Sequence, residues 1–387
     1  MHCLFKVCFL VLCLIHPVCS APRFLTVSDI HYGSDNIEGD GQDTGTEFLN
    51  TTLNRIKELS MDADFILYLG DLPTHSLFVS AKKEQFEQTV FQGLYKADQG
   101  LKPMFYITGN NDSLSGNYQP FETHGKSPLN FATDWNGACA HCDGLLIEGS
   151  HMRRDGYYSS YVIPKNKDII LFALNTVQWT KTPFYAPRYP NQQRDAYTQL
   201  FWLEYQLKTN KAKQLLIAMH VPPGDAYNGS PLWRKAYLKY FIQLLNKYHH
   251  RYGQITLLAS HTHMDEFRKI HLKDGTDIYD YSTPGISRIH NNNPGMKLFT
   301  LDKNMKVKDF ITYYTTSLTD WGAEHYHALG VPDAIFPSCH NVDLAQCLSI
   351  YSEEQVCDFM EKGLFYGVKS PRIPNQNCLK TYLINEK

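Results

Sequence analysis

The sequence has little surplus charge and no long apolar run beyond its first twenty residues, and each scarcity excludes a class of function. Lysine and arginine number 37 against 39 acidic residues, and the pI is near 6.8. The strongly basic surface that non-specific nucleic-acid binding requires is therefore missing. No later run approaches the ~20 residues of a membrane-spanning helix. The chain of 387 residues is 43% hydrophobic. This suffices for the core of one large α/β domain, alone or with an appendage.

Residues 1–20 predict a signal peptide. Lys6 gives a weakly positive start, residues 7–15 are apolar, and the compact residues Val18 and Ser20 suit cleavage before Ala21. A membrane anchor is the alternative, but the apolar run is too short to span a bilayer. We therefore expect a secreted, extracellular protein, or one in a periplasmic or lysosomal-type lumen, depending on the host.

The cysteines agree with export. Four of the ten lie in residues 1–20, and the other six form an even set: Cys139, Cys142, Cys339, Cys347, Cys357 and Cys378. In an exported protein such a set predicts three disulfides, for which fifteen pairings are possible. A zinc ribbon built on Cys139 and Cys142 is the competing interpretation, but the sequence has no second CxxC pair.

Strands and helices alternate at the start of the mature chain. Strands are predicted at residues 23–28, 64–69 and 103–108, with helices at 46–60 and 83–97, which is typical of the α/β class with a parallel sheet. After an irregular insertion at about 113–155, further strands are predicted at 157–163, 168–174, 214–219, 254–259, 277–281, 296–301 and 307–314, and helices at 196–207 and 232–250. We predict one large domain over residues 21–317 and a helical, Cys-containing subdomain over 318–387.

Polar side chains of three types follow five of these strands directly. They are Asp29, His31, Asp71, Asn110, His220, His261 and His263. The carboxyl ends of the strands in an open α/β sheet converge on one crevice, where ligands bind. We therefore expect these seven side chains to meet in one place.

The chemical types in this set predict metal ions. Two carboxylates, one amide oxygen and four imidazoles suit zinc, manganese or iron better than calcium or magnesium. Seven ligands are too many for one tetrahedral ion but fit two ions that share a carboxylate. Two metals ~3.5–4 Å apart hold a phosphate between them and supply a hydroxide for in-line attack. The five strand ends together, rather than any one short motif, carry this prediction.

The motif order D-x-H, G-D, G-N, H and H-x-H resembles the calcineurin-like metallophosphoesterases over about residues 23–301. Longer motifs are similar to the branch of acid sphingomyelinases and sphingomyelinase-like phosphodiesterases. They are Gly70-Asp71-Leu72-Pro73-Thr74-His75, His220-Val221-Pro222-Pro223-Gly224, His261-Thr262-His263-Met264-Asp265-Glu266-Phe267 and Asn293-Pro294-Gly295. The resemblance implies a metallophosphoesterase-type β-sandwich flanked by helices as the catalytic domain, with a disulfide-rich helical C-terminal subdomain.

The resemblance also implies roles for individual residues. One metal would be held by Asp29, His31 and His263, and the second by Asn110, His220 and His261, with Asp71 bridging the two. In that family His75 lies beside the metals, as a candidate to protonate the leaving oxygen or to stabilise charge on the phosphate. A reference pKa of about 6.5 suits an imidazole to this task at mildly acidic pH. A solvated loop histidine is the alternative for His75.

Two positions depart from the family pattern. Asn111 stands where a histidine usually follows the motif asparagine; its amide can donate a hydrogen bond to a phosphoryl oxygen but cannot act as a general acid. Asp112, which in the family orients that histidine, is expected only to support the loop. Ser260 replaces the usual glycine before His261, and we expect little consequence. His290 precedes the NNNPG turn, and we expect a surface or structural role for it, with substrate contact as the alternative if the fold brings this loop to the site.

We therefore expect a phosphodiesterase that uses two divalent metal ions, most simply zinc. The expected partner is a small-molecule phosphodiester or pyrophosphate of nucleotide or choline-phosphate type. The mature chain begins too close to Asp29 for an N-terminal saposin-type domain, although a sphingomyelin-like lipid, with transient membrane contact, stays open. A phosphomonoesterase of purple-acid type is the second hypothesis, with Thr74 where that class has a ligand tyrosine. A catalytically weak binding protein is the third.

Asn50, Asn111 and Asn228 begin N-glycosylation sequons, and a glycan on Asn111 would block the crevice.

Overall fold

The computed structural model describes residues 21–33, 41–76, 81–360 and 378–384, so the predicted signal peptide lies outside the described residues. The strands are Arg23–Val27 (β1), Phe65–Tyr68 (β2), Met104–Tyr106 (β3), Cys139–Ala140 (β4), Leu146–Glu148 (β5), Tyr158–Ile163 (β6), Asn166–Ala173 (β7), Ala212–Ala218 (β8), Tyr252–Ala259 (β9), Phe267–His271 (β10), Asp277–Ser282 (β11), Gly295–Leu301 (β12), Val307–Tyr314 (β13), His325–His327 (β14) and Leu383–Ile384 (β15). The helices are Thr46–Ser60 (α1), Lys83–Ala97 (α2), Met152–Asp155 (α3), Gln192–Thr209 (α4), Lys235–Tyr248 (α5), Leu344–Ile350 (α6), Glu353–Phe359 (α7) and Cys378–Tyr382 (α8). The predicted strands and helices are confirmed, with ends that differ by a few residues.

The first sheet has the strand order β14-β13-β12-β1-β2-β3-β4. Its centre, β1 to β3, is parallel, with Phe24 opposite Phe65 and Ile66 opposite Met104. Helices α1 and α2 connect these strands and bury apolar stripes that include Ile56 and Val90. Strands covered on both faces need apolar residues at every position, which is why their sequences read as unbroken apolar runs. The connections place the carboxyl ends of β1, β2 and β3 along one edge.

The second sheet has the order β15-β10-β11-β9-β8-β7-β6-β5, and β7, β8 and β9 are parallel. Side chains on β7 alternate between two cores. Ile169 and Leu171 pack into the core shared with the first sheet, whereas Ile170 and Phe172 pack into the core beneath α4 and α5. Alternate residues of a strand point to opposite faces, so this pattern makes the molecule a two-sheet sandwich with outer helices. The predicted α/β sandwich is confirmed.

Three disulfides join the six cysteines that follow residue 20 as Cys139–Cys142, Cys339–Cys347 and Cys357–Cys378. The prediction of three bridges is confirmed, and the CxxC pair is a disulfide rather than half of a zinc ribbon. The described residues of the Cys-bearing C-terminal part include three short helices, α6, α7 and α8. It also contributes two short strands that the sequence did not predict: β14 extends the first sheet, and β15 pairs with β10. The domain boundary at residue 318 stays a prediction. No helix in the described ranges is both long and apolar enough to cross a membrane.

Candidate metal centre

The ends of five strands, from both sheets, bring the predicted ligands together. Oδ2 of Asp71, after β2, lies 3.4 Å from Nε2 of His31 and 3.2 Å from Nε2 of His220, which follow β1 and β8. Oδ1 of Asp29 lies 3.3 Å from Nε2 of His263, which follows β9. Three trios have ligand atoms within 4.8 Å of one another: Asp29 with His31 and His263, Asp71 with His220 and His261, and His31 with Asp71 and His75. This geometry supports the two predicted ligand sets. Asp71 lies between His31, which belongs to the first set, and His220, which belongs to the second.

Backbone carbonyls fix the orientation of three of these imidazoles. Nδ1 of His31 lies 2.9 Å from the carbonyl oxygen of Pro73, Nδ1 of His220 lies 2.7 Å from that of Leu69, and Nδ1 of His263 lies 3.1 Å from that of Ser287. A carbonyl only accepts, so each Nδ1 carries a proton, and the lone pair of the neutral ring lies on Nε2. Outer hydrogen bonds of this kind fix the tautomer of histidines that bind metals.

Several buried polar atoms in this cluster have no hydrogen-bond partner. They are Oδ1 of Asp29, Nε2 of His31, Oδ1 of Asn110 and Nε2 of His220. Each belongs to a residue no more than 3% exposed. Burying a polar atom without a partner is costly, so a group of acceptors that share one location calls for a common cation. The donor set of carboxylate, amide and imidazole atoms therefore fits the divalent ions that the sequence predicts.

The backbone at the predicted ligands is unusual. Asp29, His31, Asp71, His261 and His263 all have positive φ, between 47° and 71°. This left-handed region is sparsely populated by residues other than glycine, and such strain concentrates at functional sites. Packing around them is also close, because a Cβ at Gly109 would collide with Asp71, and one at Gly285 would collide with His263. The loops are therefore shaped to aim these side chains.

The electrostatics of the cluster match a cation site. Burial opposes charge on the imidazoles, yet the carboxylates of Asp29 and Asp71 raise the pKa of His31 to about 9 and that of His220 to about 10. Burial also opposes ionisation of Asp71, but His220 holds the pKa of that carboxyl well below its usual range. Burial, together with the charge on His220, lowers the pKa of His261 to about 3. Two buried carboxylates are stabilised by positive charge nearby. Protons on the histidines supply this charge, or metal ions supply it when they displace those protons.

Asp112 ties the Asp71 and Asn110 loops together. Its carboxylate accepts hydrogen bonds from the backbone N–H groups of Leu72 and Gly109, each at 2.7 Å, from that of Asp71 at 3.1 Å, and from the hydroxyl of Tyr106 at 2.7 Å. Burial and the charge on Asp71 raise the pKa of this carboxyl, and the hydrogen bonds from Leu72, Tyr106 and Gly109 oppose that shift. The loop-supporting role expected of Asp112 is confirmed.

Asn111 lies against Asp71. Its backbone N–H donates to Oδ1 of Asp71 at 2.8 Å, and its side-chain amide donates to Oδ2 at 2.9 Å. The side chain is buried and does not line the cavity described below. The structure thus places this amide on the predicted bridging carboxylate, and a phosphate contact through it stays a prediction.

Ser260 makes side-chain contacts that a glycine at this position would lack. Its hydroxyl lies within hydrogen-bonding distance of Oδ2 of Asp29 and donates to the carbonyl oxygen of Thr283 at 2.9 Å. A glycine could make neither contact. The serine therefore constrains the carboxylate of Asp29, contrary to the expectation that the replacement has little consequence.

His75 is held by Asp43, a residue that the sequence did not single out. Nδ1 of His75 lies 3.1 Å from Oδ1 of Asp43, and the ring stacks on His31 with centroids 3.9 Å apart. Asp43 also accepts hydrogen bonds from the Thr74 hydroxyl and from Ser287, both at 2.8 Å. Burial and the charge on His31 lower the pKa of His75, and Asp43 opposes that shift. His75 is thus an oriented side chain beside the predicted ligands rather than a solvated loop residue.

A cavity of about 850 Å³ opens over these groups. Asp71, His75, Asn110, His261 and His263 lie on its floor, with His290 beside them; the rings of His290 and His263 are 4.6 Å apart. The walls are largely aromatic and apolar and include Tyr118, Pro183, Phe184, Tyr185, Tyr227, Pro231 and Leu232. The hydroxyl of Tyr118, a second residue that the sequence did not single out, lies 3.3 Å from Nε2 of His261. The cavity can therefore hold a substrate with a polar reacting group and an apolar or planar remainder.

Comparisons with known proteins agree with this geometry. The family model described as calcineurin-like phosphoesterase matches residues 22–265. A relative named sphingomyelinase phosphodiesterase D, from Dictyostelium discoideum, is 25% identical over 298 residues, which cover 71% of this chain and 61% of the relative. The human relative named cyclic GMP-AMP phosphodiesterase SMPDL3A is 26% identical over 291 residues, covering 70% of this chain and 60% of that protein.

The chain thus spans less than two thirds of the length of these relatives. Among solved structures, a dimetal phosphatase from Danio rerio is similar with a TM-score of 0.49 and 12% identity, covering 76% of this chain and 96% of that one. The family model accounts for most of the chain, including all seven predicted ligands. The chain belongs to the calcineurin-like phosphoesterase family.

Proposed function

We propose that this protein is an exported phosphodiesterase that works with two divalent metal ions. The observation that carries the proposal is the group of buried, unpartnered acceptors on Asp29, His31, Asn110 and His220. These acceptors share one end of the molecule with His261, His263 and the central carboxylate of Asp71. Zinc is the ion we assign, because four imidazoles with carboxylate and amide oxygens suit it. Export is supported by six cysteines paired as disulfides, which persist in oxidising compartments.

The chain's own residues would then divide the work. When bound, the two ions would supply the charge that holds phosphoryl oxygens and lowers the pKa of a water. Asp71 would keep the two metal positions at a fixed separation, and Asn111 and Asp112 would fix Asp71. His75, oriented by Asp43, would deliver a proton to the leaving oxygen. A protonated imidazole beside the phosphate would also stabilise negative charge that builds up during the reaction.

For substrate we propose a small phosphodiester or pyrophosphate whose second substituent is planar or apolar. The cavity supports this, because aromatic residues such as Tyr185 and Tyr227 rise above a floor of charged ligands. Two relatives carry names of sphingomyelin-directed and cyclic GMP-AMP-directed phosphodiesterases, which bracket this class of compound. A purple-acid type of monoesterase is not supported, because the hydroxyl of Thr74 is committed to Asp43.

The test begins with the purified mature protein and its metal content. Hydrolysis of bis(p-nitrophenyl) phosphate and of p-nitrophenyl phosphate is then compared before chelation, after chelation and after zinc is restored. We expect about two metal ions per chain and a preference for the diester that disappears on chelation and returns with zinc. A preference for the monoester would support the phosphomonoesterase instead. Two bound ions without turnover of either ester would mean that the protein binds phosphoesters without cleaving them.

A further inference from the structure

One wall of the cavity is a loop that closes on itself. Residues 222–232, called here the wall loop, follow His220 and present Tyr227, Asn228 and Leu232 to the cavity. The backbone N–H of Leu232 donates to the carbonyl of Gly224 at 3.0 Å, and that of Ala226 donates to Ser230 at 2.8 Å. These internal bonds connect the tip of the loop to its base, so we expect a shift at the base to displace the side chains at the tip.

The base of the wall loop is held by Arg268. Nη1 of this guanidinium donates to the carbonyl oxygen of Asp225 at 2.7 Å and to that of Pro223 at 3.2 Å. Nη2 forms an ion pair with Glu266 at 2.6 Å, and both side chains are completely buried. Arginine suits such a position because its planar fork can bond several acceptors at once. A buried guanidinium fixed by a carboxylate is a rigid support for the two carbonyls.

The same guanidinium reaches the C-terminal segment, residues 378–384. Nη1 of Arg268 lies 3.4 Å from the carbonyl oxygen of Thr381, and the hydroxyl of Thr381 donates to the carbonyl of Ala226 at 3.4 Å. A Cβ at Gly224 would lie 3.1 Å from Ile384, so this side chain packs directly under the wall loop. The segment is attached to α7 by the disulfide Cys357–Cys378 and to β10 by the pairing of β15.

We propose that Arg268 is a positioning residue that locks the wall loop to the disulfide-tethered C-terminal segment, and that this lock sets affinity for the part of the substrate beyond the reacting phosphate. The proposal rests on the proposed function for the identity of the reaction but not for the lock itself. The hydrogen bonds and the ion pair of Arg268 join it to Pro223, Asp225, Thr381 and Glu266. None of these residues is a predicted metal ligand. Loosening the lock should therefore weaken substrate binding without removing metal or slowing the chemical step.

Kinetics with two diesters test the consequence for binding. The larger is the p-nitrophenyl ester of thymidine 5′-monophosphate, and the smaller is methyl p-nitrophenyl phosphate. In Arg268→Lys, and in the double variant Cys357→Ser with Cys378→Ser, KM for the larger ester should rise at least about fivefold while its kcat stays within about twofold. The kinetics of the smaller ester and the metal content should not change. Cys339→Ser with Cys347→Ser is the matched control, because that disulfide does not attach residues 378–384.

Hydrogen exchange tests the lock without relying on activity. Backbone amides in residues 221–232 should exchange faster in both lock variants than in the wild type and in the control, whereas residues 24–31 and 66–72 should be unchanged. Unchanged exchange in residues 221–232, or an equal rise in the control, would overturn the lock. A parallel fall in kcat for both esters would show that Arg268 acts on general stability instead. If the wild type cleaves neither ester, the proposed function fails, and the exchange experiment still decides the lock.

Discussion

Two kinds of histidine meet in the cavity, and their partners distinguish them. In His31, His220 and His263, Nδ1 donates a hydrogen bond to a backbone carbonyl, so that Nε2 can bind a cation. In His75, Nδ1 instead lies against the carboxylate of Asp43, which partly offsets the fall in the pKa of His75 that burial and the charge on His31 cause. Neutral carbonyls thus accompany three of the four predicted histidine ligands, and an ionised carboxylate accompanies the predicted proton donor. The comparison teaches that the outer partner of a histidine indicates its task more clearly than the motif around it.

The largest effect should come from the centre of the metal cluster. Asp71→Asn keeps the shape of the side chain but removes the charge between His31 and His220. We expect loss of at least one metal ion and a fall in kcat/KM of at least ~10³-fold, because under the proposed function the ions would supply the attacking group. Metal analysis and diester kinetics check this. Asp168→Asn, at an exposed carboxylate paired with Lys213, is the matched control. Full metal content in Asp71→Asn would contradict a bridging role.

The next effect separates the two kinds of histidine. His75→Ala should lower diester turnover by at least ~10²-fold while both metal ions stay bound, because it removes a proton donor and not a ligand. The exposed His271, which pairs with Asp277 far from the cavity, gives the control His271→Ala. A near-native rate in His75→Ala would remove this residue from the mechanism. Loss of metal would place it among the ligands.

A smaller effect should follow from the partner of His75. Asp43→Asn removes a charge-assisted hydrogen bond and should lower kcat/KM about 10-fold. Burial lowers the pKa of His75 and Asp43 raises it, so in the variant this pKa falls further. The high-pH limb of kcat/KM, where His75 loses its proton, should therefore move to lower pH. A limb at the wild-type position would separate Asp43 from the proton transfer.

The same variant has a predicted signature in stability. Burial opposes ionisation of Asp43, but the hydrogen bond from His75 and the charge on His31 hold its pKa well below the usual range. Its stabilising contribution is thus present above the unfolded pKa of about 4 and is lost as the pH falls towards the folded pKa. Thermal unfolding should show a lower melting temperature for Asp43→Asn near neutral pH, with the difference shrinking in acid. A constant difference would contradict this account.

The smallest effect concerns the residue beside Asp71. Asn111→Ala removes one neutral hydrogen bond to the bridging carboxylate and should lower kcat/KM about 2–10-fold. Asn111→Asp is nearly the same size but sets a second negative charge against Asp71, so its loss should be larger. Diester kinetics and metal titration of the two variants check the order. Equal losses would favour a direct contact of the Asn111 amide with the substrate.

The sequence predicted that these side chains lie together, because they follow apolar strands that are easy to recognise. Asp43 could not be predicted in this way, since it lies in a loop and meets His75 and Ser287, which are 32 and 244 residues away in the chain. Tyr118 is similar, because its contact with His261 spans 143 residues. In the C-terminal part, β15 has two residues, too few for a visible alternation, and only its pairing with β10 defines it as a strand. Sequence periodicity thus indicates elements and their ends, whereas contacts between distant loops require the folded chain.

The left-handed backbone at five of the predicted ligands has a consequence for loading. The protein itself holds these loops, for instance through the backbone N–H of Asp29, which donates to Gly70, and that of His31, which donates to Asp71. The hydrogen bonds of the protein itself thus hold these loops in place. Mixed nitrogen and oxygen donors suit several transition ions, so under the proposed function the local supply of ions would decide which one the protein carries.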